Sequence, residues 1–220
     1  MTYQLVIGNK NYSSWSMRPW VLMTHFGIPF EEIRIPLYTP AWREQIRKVS
    51  PTGKVPCLLY GGNTVWDSLA IAETLHERHS ALGLYPTDPA ARALARSVSA
   101  EMHSGFSTIR TQMSMNIRLS VVHAMASDTL RSEVERVQEI FTTCLAKSGG
   151  PYLFGDFSIA DAMYAPVVMR FRSYGVRLNA TCDTYRETVL HNPAVARWIS
   201  DALAEAETIP EYEAESRKYL

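Results

Sequence analysis

The sequence predicts a two-domain protein with an α/β N-terminal domain and an all-helical C-terminal domain. Its 220 residues are enough for one large domain or two modest ones with a buried core. Before residue 80 the hydrophobic pattern switches between the two-residue period of strands and the 3.6-residue period of helices; after it, strand patterns nearly disappear. We therefore expect a first domain over residues 1–80, a linker over 81–88 and a helical domain over 89–220.

The first domain is expected to have the element order βαβαββα. Strands are predicted at residues 3–8, 31–37, 56–60 and 64–66, and helices at 16–26, 42–49 and 68–79. Gly61, Gly62 and Asn63 separate the last two strands and favour a hairpin, because they readily adopt positive φ. Pro19 cannot donate a backbone hydrogen bond, so we expect the first helix to begin with Ser16 as N-cap. The result is a four-stranded sheet.

The second domain shows helical periodicity almost throughout. Helices are predicted at residues 89–119, 128–147, 159–171 and 194–205. Asp88 and Pro89 suit the start of the first of these helices, and Ser158 with Asp161 forms a capping-box pattern at the start of the third. The acidic tail, residues 205–220, is expected to lie on the surface.

Composition excludes several functional classes. The chain has 22 basic and 22 acidic residues, so it lacks the basic surplus of a nucleic-acid-binding protein. The longest stretch without charge except Lys54, residues 50–66, is interrupted by prolines and glycines and cannot span a membrane. The N-terminus resembles no signal peptide, and three scattered cysteines form no disulfide framework. We therefore expect a cytoplasmic protein with no membrane or nucleic-acid partner.

Two serines before the first predicted helix are the first candidate site. Ser13 and Ser14 lie in the segment from Asn11 to Trp20, beside backbone amides that a helix start leaves unpaired. Serines gather at such positions as N-caps, which is the structural interpretation. The functional interpretation is a site for an anion or a thiolate, because a helix N-terminus favours negative charge.

Two further clusters also have both a structural and a functional interpretation. Pro56 directly precedes a predicted strand, and base rates favour a trans Val55–Pro56 bond. A cis bond would instead turn the backbone of Val55 outward, where an extended peptide could pair with it. Asp67 and Ser68 begin the third predicted helix and suit an N-cap. As a ligand site they would offer a carboxylate to an ammonium group and a hydroxyl with free amides to a carboxylate.

Together these motifs resemble the cytosolic glutathione transferase superfamily, of the bacterial serine type, over essentially the whole chain. The shared features are the serines at the first helix, Lys-Val-Pro before the third strand, an acidic residue followed by Ser68, the Leu-Tyr-Pro linker, and Ser-Ile-Ala-Asp in the helical domain. Ser13 to Arg18 is most similar to the zeta class, whose members include maleylacetoacetate isomerase. Trp15 stands where that class has cysteine, and Met17 where it usually has tryptophan.

The resemblance implies a thioredoxin-like domain that binds glutathione and a helical domain that shapes the pocket for an electrophile. The resemblance implies that Ser13 donates a hydrogen bond to the glutathione sulfur. Ser14 is the nearest alternative donor. The resemblance also assigns the Val55 main chain to the cysteinyl residue, Asp67 and Ser68 to the γ-glutamyl end, and Lys54 to the glycyl carboxylate. The further binding candidates are Trp15, Pro56, Ser107 and Arg110, the last two at the mouth of the site.

The chemistry agrees with this interpretation. Ionising a thiol of pKa about 8.5 at pH 7 requires a shift of about two units, or roughly 2.7 kcal/mol. One hydrogen bond to the charged sulfur supplies about 1.5 to 3 kcal/mol and a helix N-terminus about 0.3 to 2 kcal/mol, so no general base is required. We expect a homodimeric enzyme that uses glutathione to conjugate or isomerise a small electrophile. The alternative is a non-catalytic binding or scaffold protein with the same fold.

Two other chemistries are set aside. Cysteine-based thiol exchange needs a cysteine at the head of the first helix, and residues 13–16 contain none; Cys57, Cys144 and Cys182 are expected to be buried apolar residues. Glu73, His76 and His79 share one side of a predicted helix, but a single Glu-x-x-His pattern is usually solvated surface. We therefore expect no metal site.

Overall fold

A four-stranded mixed sheet forms the centre of the N-terminal part of the chain. In the computed structural model, which describes residues 2–125 and 127–218, the strands are β1 Tyr3–Ile7, β2 Phe30–Arg34, β3 Cys57–Tyr60 and β4 Asn63–Val65. Their order is β2-β1-β3-β4. Strand β1 pairs parallel to β2 and antiparallel to β3, and β3 and β4 form the predicted antiparallel hairpin. With helices α1 Ser14–His25, α2 Trp42–Arg47 and α3 Ser68–Arg78, the order is βαβαββα, as the sequence predicts.

The first helix begins two residues earlier than predicted. Ser13 is its N-cap and accepts a hydrogen bond from the Ser16 amide, so the expectation that Ser16 caps the helix is wrong. Pro19 lies within the helix, where its missing N–H leaves the carbonyl four residues earlier without its usual donor. The shift places Ser14 in the first turn of α1.

The Val55–Pro56 peptide bond is cis, against the trans form that base rates favour. Local statistics cannot anticipate the isomer that the folded environment of a particular proline selects. Val55 precedes β3 in the loop after α2 and lines the cleft described below.

The remainder of the chain is helical. The helices are α4 Pro89–Ser104, α5 Ser107–Gln112, α6 Asp128–Ser148, α7 Ile159–Ser173, α8 Ala180–Leu190, α9 Pro193–Ala204 and α10 Pro210–Arg217. The single helix predicted at residues 89–119 is wrong: it ends at Ser104, and Phe106 adopts a left-handed conformation with φ of 58° before α5 begins. Helices α8 and α10 lie outside the predicted helices. No helix of residues 2–125 and 127–218 is both long and apolar enough to cross a bilayer.

Most described residues of the acidic tail lie on the surface, as the sequence predicts, but the tail is also packed against the rest of the chain. Ile209 and Ser216 are buried, and Glu213 accepts hydrogen bonds from the Tyr12 hydroxyl at 2.7 Å and from the Asn116 side chain at 3.0 Å. These partners come from before α1 and after α5, so α10 packs against both parts of the chain. Tyr219 and Leu220, included in the predicted tail, lie outside the described residues.

Helix α7 is the centre of the helical part and determines the position of the site. All of its residues except Arg172 are buried, and it packs against α1 and α4. The helix begins with the predicted capping box, in which the Asp161 carboxylate accepts a hydrogen bond from the Ser158 amide at 2.9 Å. Because α7 lies directly against α1, side chains on its last turns reach the head of α1.

Candidate active site

A cleft of about 570 Å³ lies where the head of α1 faces the helical part of the chain. On one side it is lined by the head of α1, by α2 and by the loop that contains Lys54 and Val55; on the other it is lined by residues of α5, α7 and α10. Its walls include the hydroxyl-bearing residues Ser13, Ser14 and Ser114. The cleft therefore combines polar groups from distant parts of the sequence.

The Ser13 hydroxyl is used to cap α1. It donates to the Ser16 hydroxyl oxygen at 2.7 Å and accepts from the Ser16 amide at 3.4 Å. Ser16 is itself buried, and its hydroxyl oxygen accepts from the Gly8 amide at 3.1 Å. The Ser13 hydrogen is thus directed along the helix start and toward β1.

The Ser14 hydroxyl has a different environment. Its oxygen accepts a hydrogen bond from Nη2 of Arg170 at 3.1 Å, and both residues are buried. Among residues 2–125 and 127–218 its hydrogen has no hydrogen-bond acceptor, so it can be donated to a ligand in the cleft. Arg170 is on α7, and its position was not anticipated from the sequence.

Trp15 is close to two arginines. The guanidinium carbon of Arg18 is 4.3 Å from the centre of the indole ring, and that of Arg110 is 4.6 Å away. Burial, followed by repulsion from Arg110 and Arg170, lowers the pKa of Arg18, and burial lowers that of Arg110. The electron-rich faces of the indole attract the guanidinium groups and partly offset their mutual repulsion.

Asp67 and Ser68 lie at the N-terminus of α3 with two unpredicted neighbours. The Asp67 carboxylate caps the helix by accepting from the Leu69 amide at 3.0 Å, and its other oxygen is 3.1 Å from Nε2 of His103. The buried Ser68 hydroxyl accepts from Nη1 of Arg18 at 3.4 Å. Both of these partners come from helices outside the predicted α3 motif, which explains why spacing alone did not indicate them.

The other predicted site residues divide into two groups. Trp15, Lys54, Val55 and Arg110 line the cleft together with the two serines. Pro56, Asp67 and Ser68 lie outside its lining, and Ser107 is exposed on α5. The geometry therefore supports Arg110, but not Ser107, as a residue of this cleft.

The cleft is strongly cationic although the whole chain has no net charge. Its lining includes four arginines and one lysine, Arg43, Arg47, Arg110, Arg170 and Lys54, and contains no aspartate or glutamate. Such a surface favours a ligand with a net negative charge, because opposite charges attract strongly where protein walls displace water.

The three cysteines, and the Glu73 and His79 side chains that were set aside as metal ligands, have structural environments. Cys57, Cys144 and Cys182 are buried and free, and burial raises the pKa of Cys57 and of Cys144 to about 11. Glu73 accepts from the Tyr85 hydroxyl at 2.6 Å, and His79 bonds the Tyr3 hydroxyl at 3.0 Å. In the part of the chain that the structure describes, no three His, Cys, Asp or Glu residues group as metal ligands would.

The fold and cleft define a two-domain protein in which a thioredoxin-like sheet domain and a helical domain share one site. Two family models match the chain: the glutathione S-transferase N-terminal domain over residues 12–78 and the glutathione S-transferase C-terminal domain over residues 92–201. The chain therefore belongs to the glutathione S-transferase family.

Individual relatives agree with the family assignment. Maleylacetoacetate isomerase of Rattus norvegicus is 30% identical over 173 residues, covering 76% of this chain and 78% of the relative. Probable maleylacetoacetate isomerase of Caenorhabditis elegans is 25% identical over 185 residues, covering 83% and 86%. Among solved structures, a Burkholderia GL BGR1 glutathione transferase homologue with bound glutathione superposes with a TM-score of 0.73 at 24% identity, over 93% of this chain and all of that one.

Three residues near the site were not anticipated from the sequence: Arg170, His103 and Tyr212. Arg170 had a usable signal: it is a charged residue near the end of an apolar run at residues 159–171, which is a costly place for a charge without a partner. Tyr212 lies in the tail that was expected to be exposed, yet it lines the cleft. His103 lies within a predicted helix, and only the tertiary fold places it beside Asp67.

Proposed function

We propose that the protein binds glutathione in this cleft, holds its thiolate with a serine hydroxyl at the head of α1, and conjugates or isomerises a small electrophile. The observation that carries the proposal is the combination of two serines at the positively polarised end of α1 with a cleft whose charged residues are all cationic. Glutathione has two carboxylates and one ammonium group, and ionisation of its thiol adds a second net negative charge. A cationic cleft therefore favours both the tripeptide and its thiolate.

The parts of glutathione can be assigned along the cleft. The Val55 main chain is proposed to pair with the cysteinyl residue, and Lys54 to bind the glycyl carboxylate, with Arg47 lining the same side. Ser68, with its bond from Arg18, and Asp67 are proposed to receive the γ-glutamyl end beyond the described lining. Trp15 and Pro56 would flank the tripeptide, and Arg110 would face the electrophile.

Ser14 is proposed as the donor to the sulfur, in preference to Ser13. The Ser13 hydrogen is committed to the Ser16 oxygen, whereas the Ser14 hydrogen is free to point into the cleft. A hydrogen bond to a charged sulfur together with the helix N-terminus supplies roughly the 2.7 kcal/mol that thiol ionisation at pH 7 requires. Neither serine has to act as a base, because the thiol proton is released to solvent.

The names of the relatives leave two reaction types for this site. Both the rat and the nematode protein are called maleylacetoacetate isomerases, whereas the family name refers to transfer of glutathione. In either reaction the thiolate attacks the electrophile first. Isomerisation then expels the same thiolate. Conjugation retains the new carbon–sulfur bond, and with a chlorinated nitroaromatic the carbon–chlorine bond breaks and chloride leaves.

Turnover assays with alanine variants test the proposal. Pure protein with glutathione and either a chlorinated nitroaromatic or a maleyl compound is expected to show turnover, and S14A to lower kcat/KM about 10- to 100-fold, as expected for the loss of 1.5 to 3 kcal/mol. S97A is a matched control, because Ser97 is an exposed residue of α4 whose hydroxyl donates to the Ala93 carbonyl. Glutathione binding without turnover over a broad electrophile panel would support the scaffold alternative instead.

The homodimer that the family resemblance implies is a separate proposal. Trp66, immediately before α3, is 44% exposed, which is unusual for so large an apolar side chain and consistent with a surface that a second copy covers. Sedimentation at micromolar concentration is expected to show twice the 24.8 kDa chain mass. A monomer at these concentrations would contradict this proposal without affecting the assignment of the cleft.

A further inference from the structure

Arg170 is a buried charge that lacks an acidic partner. It is only 4% exposed, and it donates to the Met113 carbonyl at 2.8 Å, to the Pro166 carbonyl at 3.3 Å and to the Ser14 hydroxyl at 3.1 Å. In residues 2–125 and 127–218 it forms no ion pair with a carboxylate. A buried positive charge that is hydrogen-bonded but not neutralised is costly, and an anion beside it would remove much of that cost.

The titratable groups around Arg170 do not neutralise its positive charge. Arg110 of α5 and Arg18 of α1 repel Arg170, and Tyr174 of α7 and Tyr212 of α10 are its other electrostatic neighbours. Neither neighbour supplies a carboxylate that would neutralise the arginine. The nearest space for a negative charge is therefore the cleft that Ser14, Arg110 and Arg170 line.

The hydrogen bond from Arg170 also fixes the direction of the Ser14 hydroxyl. A hydroxyl oxygen that accepts from a guanidinium group directs its own hydrogen away from that donor, and a charged donor polarises the hydroxyl so that it donates more strongly. Because Arg170 is held by three hydrogen bonds in a packed helix, it has little freedom to move. Ser14 thus has a fixed acceptor side toward α7 and a donor side toward the cleft.

We propose that Arg170 is the positioning residue of the site: its guanidinium aims the Ser14 hydroxyl at the glutathione sulfur and places a buried positive charge one hydroxyl away from the thiolate. This inference rests on the proposed function and adds to it a residue of the helical domain. It distinguishes the two serines, because Ser14 alone accepts from Arg170. It also accounts for the positive charge in the last turns of an otherwise apolar stretch of α7.

The test is the pKa of glutathione bound to the whole protein, measured by ultraviolet thiolate absorbance across pH. R170M is expected to raise this pKa by about one unit, and to lower kcat near neutral pH about tenfold with a smaller effect on KM. R170K, which keeps the charge, is expected to restore at least half of the shift. R172M is the matched control, since Arg172 lies on the same helix and donates to the Ile117 carbonyl.

A double-variant cycle shows whether Arg170 acts through Ser14. In an S14A background R170M is expected to raise the thiol pKa by less than half as much as in the serine protein. R170Q replaces R170M if the methionine variant does not fold, which thermal unfolding will reveal. Three results would each overturn the role of Arg170: an unchanged pKa in the folded neutral variant, an R170M shift in the S14A background at least half as large as in the serine protein, or a thiol pKa that the single variant S13A raises and the single variant S14A does not.

A negative result for Arg170 can be distinguished from failure of the proposed function. If the wild-type protein binds glutathione and lowers its thiol pKa while the Arg170 variants behave like wild type, the cleft assignment stands and only the positioning role falls. If calorimetry at millimolar glutathione shows no binding to the wild-type protein, the proposed function itself is contradicted.

Discussion

At the scale of single residues, two side chains that look alike in the sequence differ in their hydrogen-bond partners. Ser13 and Ser14 are adjacent and both buried, yet one caps a helix and the other accepts from a guanidinium 156 positions later. Neighbouring residues at a helix start point in different directions, about 100° apart around the axis, so one can face the helix end while the other faces α7. The serine pattern was therefore visible in the sequence, but the distinction between the two serines was not.

The cysteines provide a prediction at the same scale. Because Cys57 and Cys144 are buried and their pKa values are raised to about 11, less than about 0.1% of either thiol is ionised at pH 7. We expect a chromogenic disulfide reagent to label the native protein orders of magnitude more slowly than free cysteine. After unfolding in guanidinium chloride it should label all three cysteines rapidly. Rapid labelling of one thiol in the native protein would contradict the buried environments described above.

At the scale of elements, the N-terminus of α7 depends on one carboxylate. Asp161 is fully buried, and its two oxygens accept from the Leu153 amide, the Ser158 amide and hydroxyl, and the Tyr185 hydroxyl, at distances between 2.9 and 3.0 Å. These donors come from the preceding loop, from the cap of α7 and from α8. Asp161 therefore fixes the entry of the central helix and its contact with α8.

Removing this carboxylate is expected to be costly. D161A leaves four buried donors without an acceptor, and we expect it to lower the free energy of unfolding by about 3 to 5 kcal/mol. D161N also lowers it, because its amide group would face the Ser158 amide with a donor. D88A is the matched control: the exposed Asp88 caps α4 through the Ala91 amide, and its loss should cost about 1 kcal/mol. Urea unfolding monitored by circular dichroism measures all three, and equal values for D161A and D88A would contradict the proposed importance of Asp161.

The elements also show how far the sequence could predict this structure. Every predicted strand and most helices lie within three residues of their observed bounds, because alternation in residues 3–8 and the glycine turn at 61–63 are local signals. The long helix at 89–119 was wrong because the helical pattern continues past Gly105, where only the tertiary packing of Phe106 produces the left-handed turn. Helix α8 was missed because only Cys182, Tyr185 and Val189 of its eleven residues are buried. The contact of Ser14 with Arg170 joins residues more than 100 positions apart, for which no local pattern exists.

At the scale of the whole molecule, a neutral chain concentrates positive charge at one place. Acidic residues balance the basic ones overall, but many of them lie on other surfaces: Glu101 and Glu139 pair with Arg136, and Glu207 with Arg34. The cleft retains five cationic residues with no acidic neighbour in its lining. Net charge therefore gives no information about the ligand, whereas the local distribution favours an anion.

Salt provides a direct test of this distribution. Because cationic residues surround the proposed glutathione site, we expect its dissociation constant to rise about 3- to 10-fold between 20 mM and 500 mM sodium chloride. A glutathione analogue with a neutral glycyl carboxamide is the control and should show a weaker salt dependence. Isothermal titration calorimetry measures both ligands. A dissociation constant that does not change with salt would show that the cationic lining does not contribute to binding.

The bond between Ser14 and Arg170 joins the two halves of the chain: the serine lies at the first helix after β1, and the arginine lies on the central helix of the second half. If Arg170 has the proposed role, the first half of the chain binds the tripeptide and the second half promotes ionisation of its thiol. If α7 moved away from α1 by even a few ångströms, the Ser14–Arg170 hydrogen bond would break. The bound glutathione thiolate would then return to its protonated, unreactive form without leaving the cleft. Reactivity would then depend on close packing of the two halves. A partly opened molecule would bind glutathione without reacting with it.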